Sequence, residues 1–245
     1  MNCGAARPRS QTETVMDLVF EYQSQLIAGT LVTIQLALAS LAVSLILGLL
    51  GAWAKLSPNR PAQKLAGAYT SIVRGIPDLV LILLVFYGGQ VTVNAIGVST
   101  GLWGYVDVNQ FVSGFLTIGI IFGAYFTETF RGAIMAIPRG QIEAGISCGM
   151  PKSLIFRRII WPQMVRYALP GFTNNWLVQL KTTALVSVIG LQDLVYNAFT
   201  AGRSTGQLFT FMAAAFVIYL VLTALSDIGL RALERRYSRG VVRAV

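Results

Sequence analysis

The sequence predicts an all-α membrane protein, a bundle of five transmembrane helices. Three observations indicate this class: apolar residues make up 55% of the 245 residues, charged residues make up only 12%, and the apolar residues form five long stretches separated by short polar segments. This excess is too large for one buried core and is typical of several bilayer spans. Histidine is absent, which excludes Ser-His-Asp and Cys-His catalysis and the usual histidine ligands of metals. We therefore expect neither a catalytic nor a metal site.

Each of the five stretches is long enough to cross the hydrocarbon layer, which takes about 20 helical residues. Because irregular backbone cannot face lipid, each is predicted to be helical. The predicted spans cover residues 26–53, 66–98, 111–134, 168–190 and 208–230. The second is interrupted after Arg74, where Pro77 lacks a hydrogen-bond donor and clashes with the preceding turn. We expect a kink at Pro77 that serves either as a gate or as an adjustment of packing, with Asp78 capping the next helix.

The distribution of lysine and arginine predicts the orientation. These residues are concentrated after the first, third and fifth spans, whereas the opposite side has only Arg203 in its loops. Because cytoplasmic loops carry the excess of positive charge, the N-terminus is predicted in the periplasm and the C-terminus in the cytoplasm. Topology also accounts for the net charge of +9. No basic helix or aromatic platform stands apart from the spans, so nucleic-acid binding is not expected.

Three regions follow from this topology. Residues 1–24 are predicted to be a poorly ordered periplasmic extension, in which Met16 is an alternative start to Met1. Acidic residues interrupt the extension, so no cleaved signal peptide is expected. Residues 25–235 form the transmembrane domain, and residues 236–245 form a cytoplasmic tail.

The segment between the third and fourth spans, residues 138–162, is polar, basic and interrupted by glycine and proline. Its central Gly-Met-Pro sequence breaks a helix, because proline disfavours helical backbone at the residue before it. The sequence therefore predicts two short helices at an angle, over residues 140–148 and 152–160. Ile155 and Ile159 are one turn apart and give the second helix an apolar face. Such an amphipathic pair is suited to lie across a groove of a partner.

This segment, PRGQIEAGISCGMPKSLIFRRIIWP, resembles the signature E-A-A-x-x-x-G-x9-I-x-L-P of the permease subunits of bacterial ATP-driven importers. The matching residues are Glu143, Ala144, Gly149, Ile159 and Pro162, and the departures are Gly145 in place of the third alanine and Trp161 in place of leucine. The resemblance implies the type I permease fold of ATP-binding-cassette importers. It also implies that Glu143 and Gly149 dock into a cleft of a separate nucleotide-binding subunit, with Gly149 permitting a tight turn. The alternative is a basic loop that touches only lipid headgroups.

Further stretches are similar to the polar amino-acid branch of this family. They are RGIPDLVLILLVFYG, GAYFTETFRGAI, NNWLVQLKTTALVSVIGLQDLV and LERRYSRGV, and they are most similar to the Q-type permeases of histidine and lysine/arginine/ornithine importers. This resemblance implies a bacterial inner-membrane subunit that moves basic amino acids into the cytoplasm, with opines or other polar amino acids as the alternative substrates. It also implies three partners: a related permease subunit that completes a heterodimer, a dimer of ATPase subunits, and a periplasmic amino-acid-binding protein.

The chain contains no Gly-Lys dipeptide and therefore has no phosphate-cradling loop of the Walker A type. ATP and Mg²⁺ are expected on the partner ATPase, and no cofactor is expected on this chain. Two other classes of protein fit the sequence less well than a permease. A self-contained secondary transporter needs inverted repeats or coupling-ion carboxylates at mid-bilayer, and neither stands out. A membrane enzyme is disfavoured by the absence of histidine and of paired acids at catalytic spacing.

An ionisable residue inside a span is costly and is therefore a candidate functional residue. In the third span Glu128 and Arg131 are three residues apart and can pair on one helix, while Thr117 lies about three turns before Glu128 on the same face. Two interpretations are open. Either the pair anchors the cytoplasmic end of the helix, or this face lines the pathway and Glu128 contacts a cationic substrate.

In the fourth span polar residues recur every four positions: Asn175, Gln179, Thr183 and Ser187. A stripe of this kind is predicted to face a pore or a partner subunit rather than lipid. Lys181 lies outside the stripe and needs a partner, which is either Glu128, an acid of the sister subunit or a substrate carboxylate. Asp193 follows the span, where it is expected to gate the outer mouth or touch the binding protein.

Overall fold

The computed structural model describes residues 19–237, so residues 1–18 of the predicted N-terminal extension and residues 238–245 of the predicted C-terminal tail lie outside the described residues. All regular structure within this range is helical, as predicted. The helices are α1 Gln23–Leu56, α2 Arg60–Gly75, α3 Asp78–Thr100, α4 Gln110–Met135, α5 Arg139–Ser147, α6 Lys152–Ile155, α7 Trp161–Thr182, α8 Leu194–Thr205 and α9 Leu208–Tyr237. A π-helical turn, Phe156–Ile160, joins α6 to α7, and a 3-10 helix, Thr183–Ile189, extends α7.

Helix α4 forms the centre of the bundle and is the most buried of the long apolar helices in the described range. It packs along α1, where glycine allows the two backbones to approach closely. A Cβ atom on Gly48 would lie 2.6 Å from Cβ of Phe126, and one on Gly119 would lie 2.6 Å from Cβ of Val43. Side chains at these two positions would push the helices apart, which is why small residues are favoured at such interfaces.

The second predicted span is two separate helices rather than one kinked helix. Helix α2 ends at Gly75, Ile76 is extended (φ −108°, ψ 137°), and α3 begins at Asp78. The cause is the clash between Pro77 and the residue before it, which moves Ile76 out of the helical region. Asp78 is the first residue of α3, and Pro77 is its N-cap, so the predicted capping role of Asp78 is wrong. A negative charge in the first turn is nevertheless favoured by the helix dipole.

The fourth predicted span is part of a longer and less regular segment. Helix α6, the π-helical turn, α7 and the 3-10 helix follow one another without a break. The predicted second short helix of the polar segment is therefore the beginning of this run, and Pro162 lies in the first turn of α7 instead of ending a loop. In the π-helical turn the N–H of Trp161 donates to the carbonyl of Phe156, five residues back. This expansion accommodates Pro162, which cannot donate to the carbonyl four residues back.

Four helices in the described part of the chain are long and apolar enough to cross a membrane: α1, α3, α4 and α9. The run from Lys152 to Ile189 and α8 meet at an angle of 52°. If they count as one bent span, they form a fifth crossing. The bend occurs after Gly190, whose φ of 86° ends the 3-10 helix in a left-handed conformation. The structure therefore agrees with the predicted number of spans, but α2 lies outside them.

Candidate functional site

The segment between α4 and α7, residues 138–162, folds into an elbow whose first arm is α5. The N–H of Met150 donates to the carbonyl of Gly145 (3.0 Å), and the N–H of Gly149 donates to that of Ile146 (2.9 Å). Together these two bonds form the Schellman motif that ends helices at a glycine. The φ of Gly149 is 72°, so the predicted tight turn at this glycine is confirmed.

The inner face of the elbow is apolar and closely packed. A Cβ atom on Gly145 would lie 2.9 Å from Cδ1 of Ile159 and 3.4 Å from Cγ1 of Ile155. Ile155 and Ile159 therefore share one face, as predicted, but that face packs against α5 of the same chain. Nε2 of Gln163 in α7 also donates to Oε1 of Gln141 in α5 at 2.5 Å. These contacts fix the two arms of the elbow to each other.

The outer face of the elbow is exposed and mixes charge with apolar surface. Glu143, Ala144 and Gly149 are exposed on this side, and the side chain of Ile146 is 61% exposed. On the second arm Arg157 and Arg158 are exposed, and the exposed Phe156 lies 6.1 Å from Trp161 between ring centroids. An exposed apolar and basic surface on a rigid support is suited to docking a partner.

Glu128 is held by cations of its own chain. Lys55, at the end of α1, donates to Oε1 of Glu128 and, at 2.6 Å, to the hydroxyl of Thr70 in α2. Arg131 lies 3.5 Å from the other carboxylate oxygen. The predicted Glu128–Arg131 pair is therefore present, but Lys55 is the closer partner, and Glu128 does not pair with Lys181. A cationic substrate at this carboxylate would compete with these two cations.

The polar stripe of α7 and of the 3-10 helix that follows it hydrogen-bonds inside the bundle instead of forming a pathway surface. Gln179 is fully buried, and its Nε2 donates to the hydroxyls of Ser40 (2.9 Å) and Ser44 (3.2 Å) in α1. Asn175 donates to the hydroxyl of Thr129 in α4 at 3.0 Å. Thr183 is fully buried and donates to the carbonyl of Leu180.

Thr117, on α4, is also buried and donates to the carbonyl of Ser113 at 2.7 Å. The prediction that the polar stripe faces a pore or a partner subunit is thus wrong for Gln179 and Thr183 in this conformation, and the predicted pathway face does not include Thr117, which is buried. The spacing correctly predicted that these side chains avoid lipid, but hydrogen bonds within one chain satisfy them, either to a neighbouring helix or to a carbonyl three or four residues back.

Lys181 is exposed on the opposite side of α7, where it lines a groove between α7 and α9. The groove has a volume of about 710 Å³ and a mostly apolar wall that includes Leu177, Phe216 and Leu220. Asp227 lines the same groove and accepts from Nε of Arg231 at 2.8 Å. Within residues 19–237 no carboxylate lies within salt-bridge distance of Lys181.

The remaining predicted residues sit at the ends of helices. The guanidinium of Arg74 lies over the ring of Tyr125, 5.1 Å from its centroid. Asp193 is fully buried and caps α8, accepting from the N–H of Tyr196 at 2.8 Å. Its burial excludes the predicted contact with a binding protein in this conformation, and its second carboxylate oxygen has no partner within the described residues.

Sequence reasoning missed two groups of residues. One is Lys55, whose position at the end of the first span makes it a natural counter-ion for Glu128. Gln90 and Asn94 lie four residues apart on α3 and hydrogen-bond to the segment that follows this helix. Their i, i+4 spacing inside an apolar helix was the signal that could have identified them.

The family described as "Binding-protein-dependent transport system inner membrane component" matches residues 44–239. The histidine/lysine/arginine/ornithine transport system permease protein HisQ of Escherichia coli (strain K12) is 49% identical over 227 residues, which cover 93% of this chain and 99% of HisQ. The octopine transport system permease protein OccQ of Rhizobium radiobacter is 41% identical over 220 residues, which cover 90% and 93% of the two chains.

Two solved structures have the same fold. The crystal structure of an amino acid ABC transporter with histidines contains a chain that is 31% identical, with a TM-score of 0.76 and coverage of 89% of this chain and 96% of that one. The MetNI methionine ABC transporter contains a chain that is 17% identical, with a TM-score of 0.64 and coverage of 94% and 100%. The second likeness concerns the fold alone.

Proposed function

This chain belongs to the family of binding-protein-dependent transport system inner membrane components, and we propose that it moves basic amino acids from the periplasm into the cytoplasm as one of two permease subunits of an ATP-driven importer. The relatives support this substrate class. The permease named for histidine, lysine, arginine and ornithine is 49% identical, whereas the octopine permease is 41% identical. This order favours basic amino acids over opines.

The observation that carries the coupling role is the outer face of the elbow. Glu143 is exposed in the middle of α5, and Gly149, in the Schellman turn that ends this helix, is exposed as well. We assign this face to the cleft of an ATPase subunit that binds ATP and Mg²⁺, with Ala144 in the contact and Gly145, Ile159 and Pro162 supporting the elbow from behind. This chain contributes no phosphate-binding loop, so hydrolysis belongs to the partner.

Contacts on the inner face of the elbow connect α5 to the helices of the bundle. Helix α5 follows α4 after a short turn. Its inner face contacts α7 through Gln141 and Gln163, and it contacts the π-helical turn before α7 through Gly145 and Ile159. Helices α4 and α7 both contribute to the main apolar core, through residues such as Phe126 and Met164. A displacement of α5 by the ATPase would therefore move two core helices together, which is what alternating access requires of a permease.

The groove at Lys181 is our candidate for the contact with the sister permease and the substrate. A cation at membrane depth is costly unless it meets an anion or water, and the described residues offer Lys181 no carboxylate within salt-bridge distance. We place the substrate carboxylate beside Lys181, in a pathway closed on its other side by the sister subunit of a heterodimer. Replacing Lys181 by methionine should then raise the KM of uptake; an unchanged KM would remove Lys181 from the pathway.

The coupling role is tested by replacing Glu143 with alanine in the assembled transporter. Uptake should fall about tenfold, the effect of losing a contact worth about 1.4 kcal/mol. Basal ATP hydrolysis and membrane insertion should be unchanged, because the Glu143 side chain makes no contact that holds another described helix. Glu143→Gln separates charge from shape, and Lys64→Ala, an exposed charge on α2 away from the elbow, is the control. Normal uptake by the alanine variant would refute the docking of Glu143.

A further inference from the structure

The segment between α3 and α4, residues 101–109, forms a strap that folds back along the end of α3. Two amide side chains of α3 hold it. Oε1 of Gln90 accepts from the N–H of Val108 (2.7 Å), and its Nε2 donates to the carbonyl of Val106 (2.6 Å). Oδ1 of Asn94 accepts from the N–H of Val106 (2.8 Å), and its Nδ2 donates to the same carbonyl (3.0 Å). The two amides thus replace the ladder bonds that a neighbouring strand would supply.

An indole fixes the first half of the strap. Nε1 of Trp103 donates to the carbonyl of Val93 at 3.2 Å. The Trp103 ring and backbone lie directly against Gly97, where a Cβ atom would come within 2.9 Å of the carbonyl oxygen of Trp103. At its far end the strap leads into the Asn109 cap of α4, whose side chain accepts from the N–H of Val112. The strap is therefore anchored along its length although it has no regular secondary structure.

The outward side of the strap is apolar and exposed. The side chains of Leu102 and Tyr105 are 74% and 75% exposed, and Val98, at the end of α3, is 81% exposed. Tyrosine on a rigid support is a frequent source of binding energy at protein interfaces, because little side-chain entropy is lost when it is covered.

Lipid is a poor occupant for this surface. The strap is irregular, and irregular backbone is not exposed to the hydrocarbon region. Surface-binding segments that recognise anionic headgroups are rich in lysine and arginine. The chain has no lysine or arginine between Arg74 and Arg131, and the strap carries the acid Asp107. Asp107 would repel anionic headgroups, whereas it would complement a basic protein surface.

We propose that the strap is a docking element for the extracytoplasmic solute-binding protein, with Leu102 and Tyr105 as its apolar contacts and Asp107 facing basic groups of that protein. This inference rests on the proposed function, including the orientation that puts the strap outside. The Gln90 and Asn94 clamp acts as a positioning device, because it holds the strap in one conformation before the binding protein arrives.

The test uses the complete transporter in proteoliposomes, with ATP hydrolysis measured against the concentration of its liganded binding protein. The variant Leu102→Ala/Tyr105→Ala should need about tenfold more binding protein for half-maximal stimulation, as expected for the loss of two interface contacts. Basal hydrolysis and the maximal rate should be unchanged. Tyr87→Ala removes an exposed tyrosine of α3 outside the strap and should behave as the wild type. A photoreactive amino acid at position 105 should crosslink to the binding protein, and one at position 87 should not.

The outcomes separate the two proposals. If no binding protein stimulates the wild-type transporter, the proposed function fails. If the wild type is stimulated but the double variant has the same half-maximal concentration, the strap is not a docking element. Crosslinking of position 105 only to lipid or to the sister permease would overturn the proposal as well. If the double variant fails to assemble, Asp107→Lys is used instead, because Asp107 is exposed and its replacement should not disturb folding. This variant should also raise the concentration of binding protein needed for half-maximal stimulation.

Discussion

Two glycines of the elbow, Gly145 and Gly149, have different physical roles. Gly149 has a φ of 72°, a conformation that costs an L-residue about 1–2 kcal/mol. Gly145 has ordinary helical backbone, but it faces Ile155 and Ile159 at close range. The alanine of the related signature at position 145 would meet only the end of the Ile159 side chain, which can rotate. The departure from the signature at Gly145 is therefore a matter of packing, whereas Gly149 is fixed by the backbone.

Replacing Gly149 with alanine should weaken the Schellman turn by about 1–2 kcal/mol and lower uptake per ATP hydrolysed, while leaving the amount of membrane-inserted protein unchanged. Gly140→Ala, within α5, is the matched control, because Gly140 has no positive φ and a Cβ atom there would have no neighbour within 4 Å. Uptake per ATP hydrolysed is measured for each variant from substrate uptake and phosphate release in the same proteoliposomes. Equal coupling in the two variants would show that the left-handed turn is dispensable.

At the scale of helices, one ion pair joins three elements. Lys55 at the end of α1 contacts Glu128 in α4 and Thr70 in α2, and Arg131 adds a second cation one turn further along α4. The side chain of Lys55 is 13% exposed and that of Glu128 is 28% exposed. The elbow follows α4 along the chain. We therefore expect this ion pair to fix the position of the elbow relative to α1 and α2.

Removing one partner of a largely buried ion pair leaves an uncompensated charge. Lys55→Met should lower the free energy of unfolding by about 1–2 kcal/mol, between the values for exposed and fully buried pairs. The double variant Lys55→Met/Glu128→Gln should recover part of this loss, because no charge is left without a partner. Thermal unfolding in detergent measures both, with Lys64→Met as an exposed control. A single variant as stable as the wild type would show that Arg131 alone neutralises Glu128.

At the scale of the whole molecule, the strap and the elbow lie at opposite ends of α4, since one precedes Gln110 and the other follows Met135. An extracytoplasmic binding protein and a cytoplasmic ATPase would therefore act on the two ends of the same buried helix. The groove at Lys181 lies to the side of this axis, between α7 and α9. This separation gives each proposed partner its own surface.

The orientation can be tested with a membrane-impermeant maleimide. Cys148 is exposed in the elbow, so a Cys3→Ser variant should react in inside-out vesicles and not in intact spheroplasts. A Cys3→Ser/Cys148→Ser/Tyr105→Cys variant, with its only cysteine in the strap, should react in the reverse pattern. Labelling of Cys148 from the outside of intact spheroplasts would contradict both the positive-inside assignment and the docking of the elbow to an ATPase.

Local features of the site were predictable because they depend on residues close together in sequence. The left-handed turn at Gly149 follows from the Gly-Met-Pro sequence, and the shared face of Ile155 and Ile159 follows from helical periodicity. The long-range partners were not predictable in this way. Gln179 donates hydrogen bonds to Ser40 and Ser44, which lie more than 130 positions away in sequence. Periodicity shows that a side chain avoids lipid, but it does not show whether a pore or a neighbouring helix satisfies it.

The sequence by itself determined the fold class, the number of spans and the membrane permease family, because hydropathy, charge bias and motif spacing are properties of the linear chain. Only the tertiary structure decided that Pro77 separates two helices, that the stripe on α7 is internal, and that Glu128 pairs with Lys55. The physical reason is that burial and ion pairing depend on which helices become neighbours. That choice is made by close packing of side chains such as those around Gly48 and Gly119, and a single sequence does not reveal it.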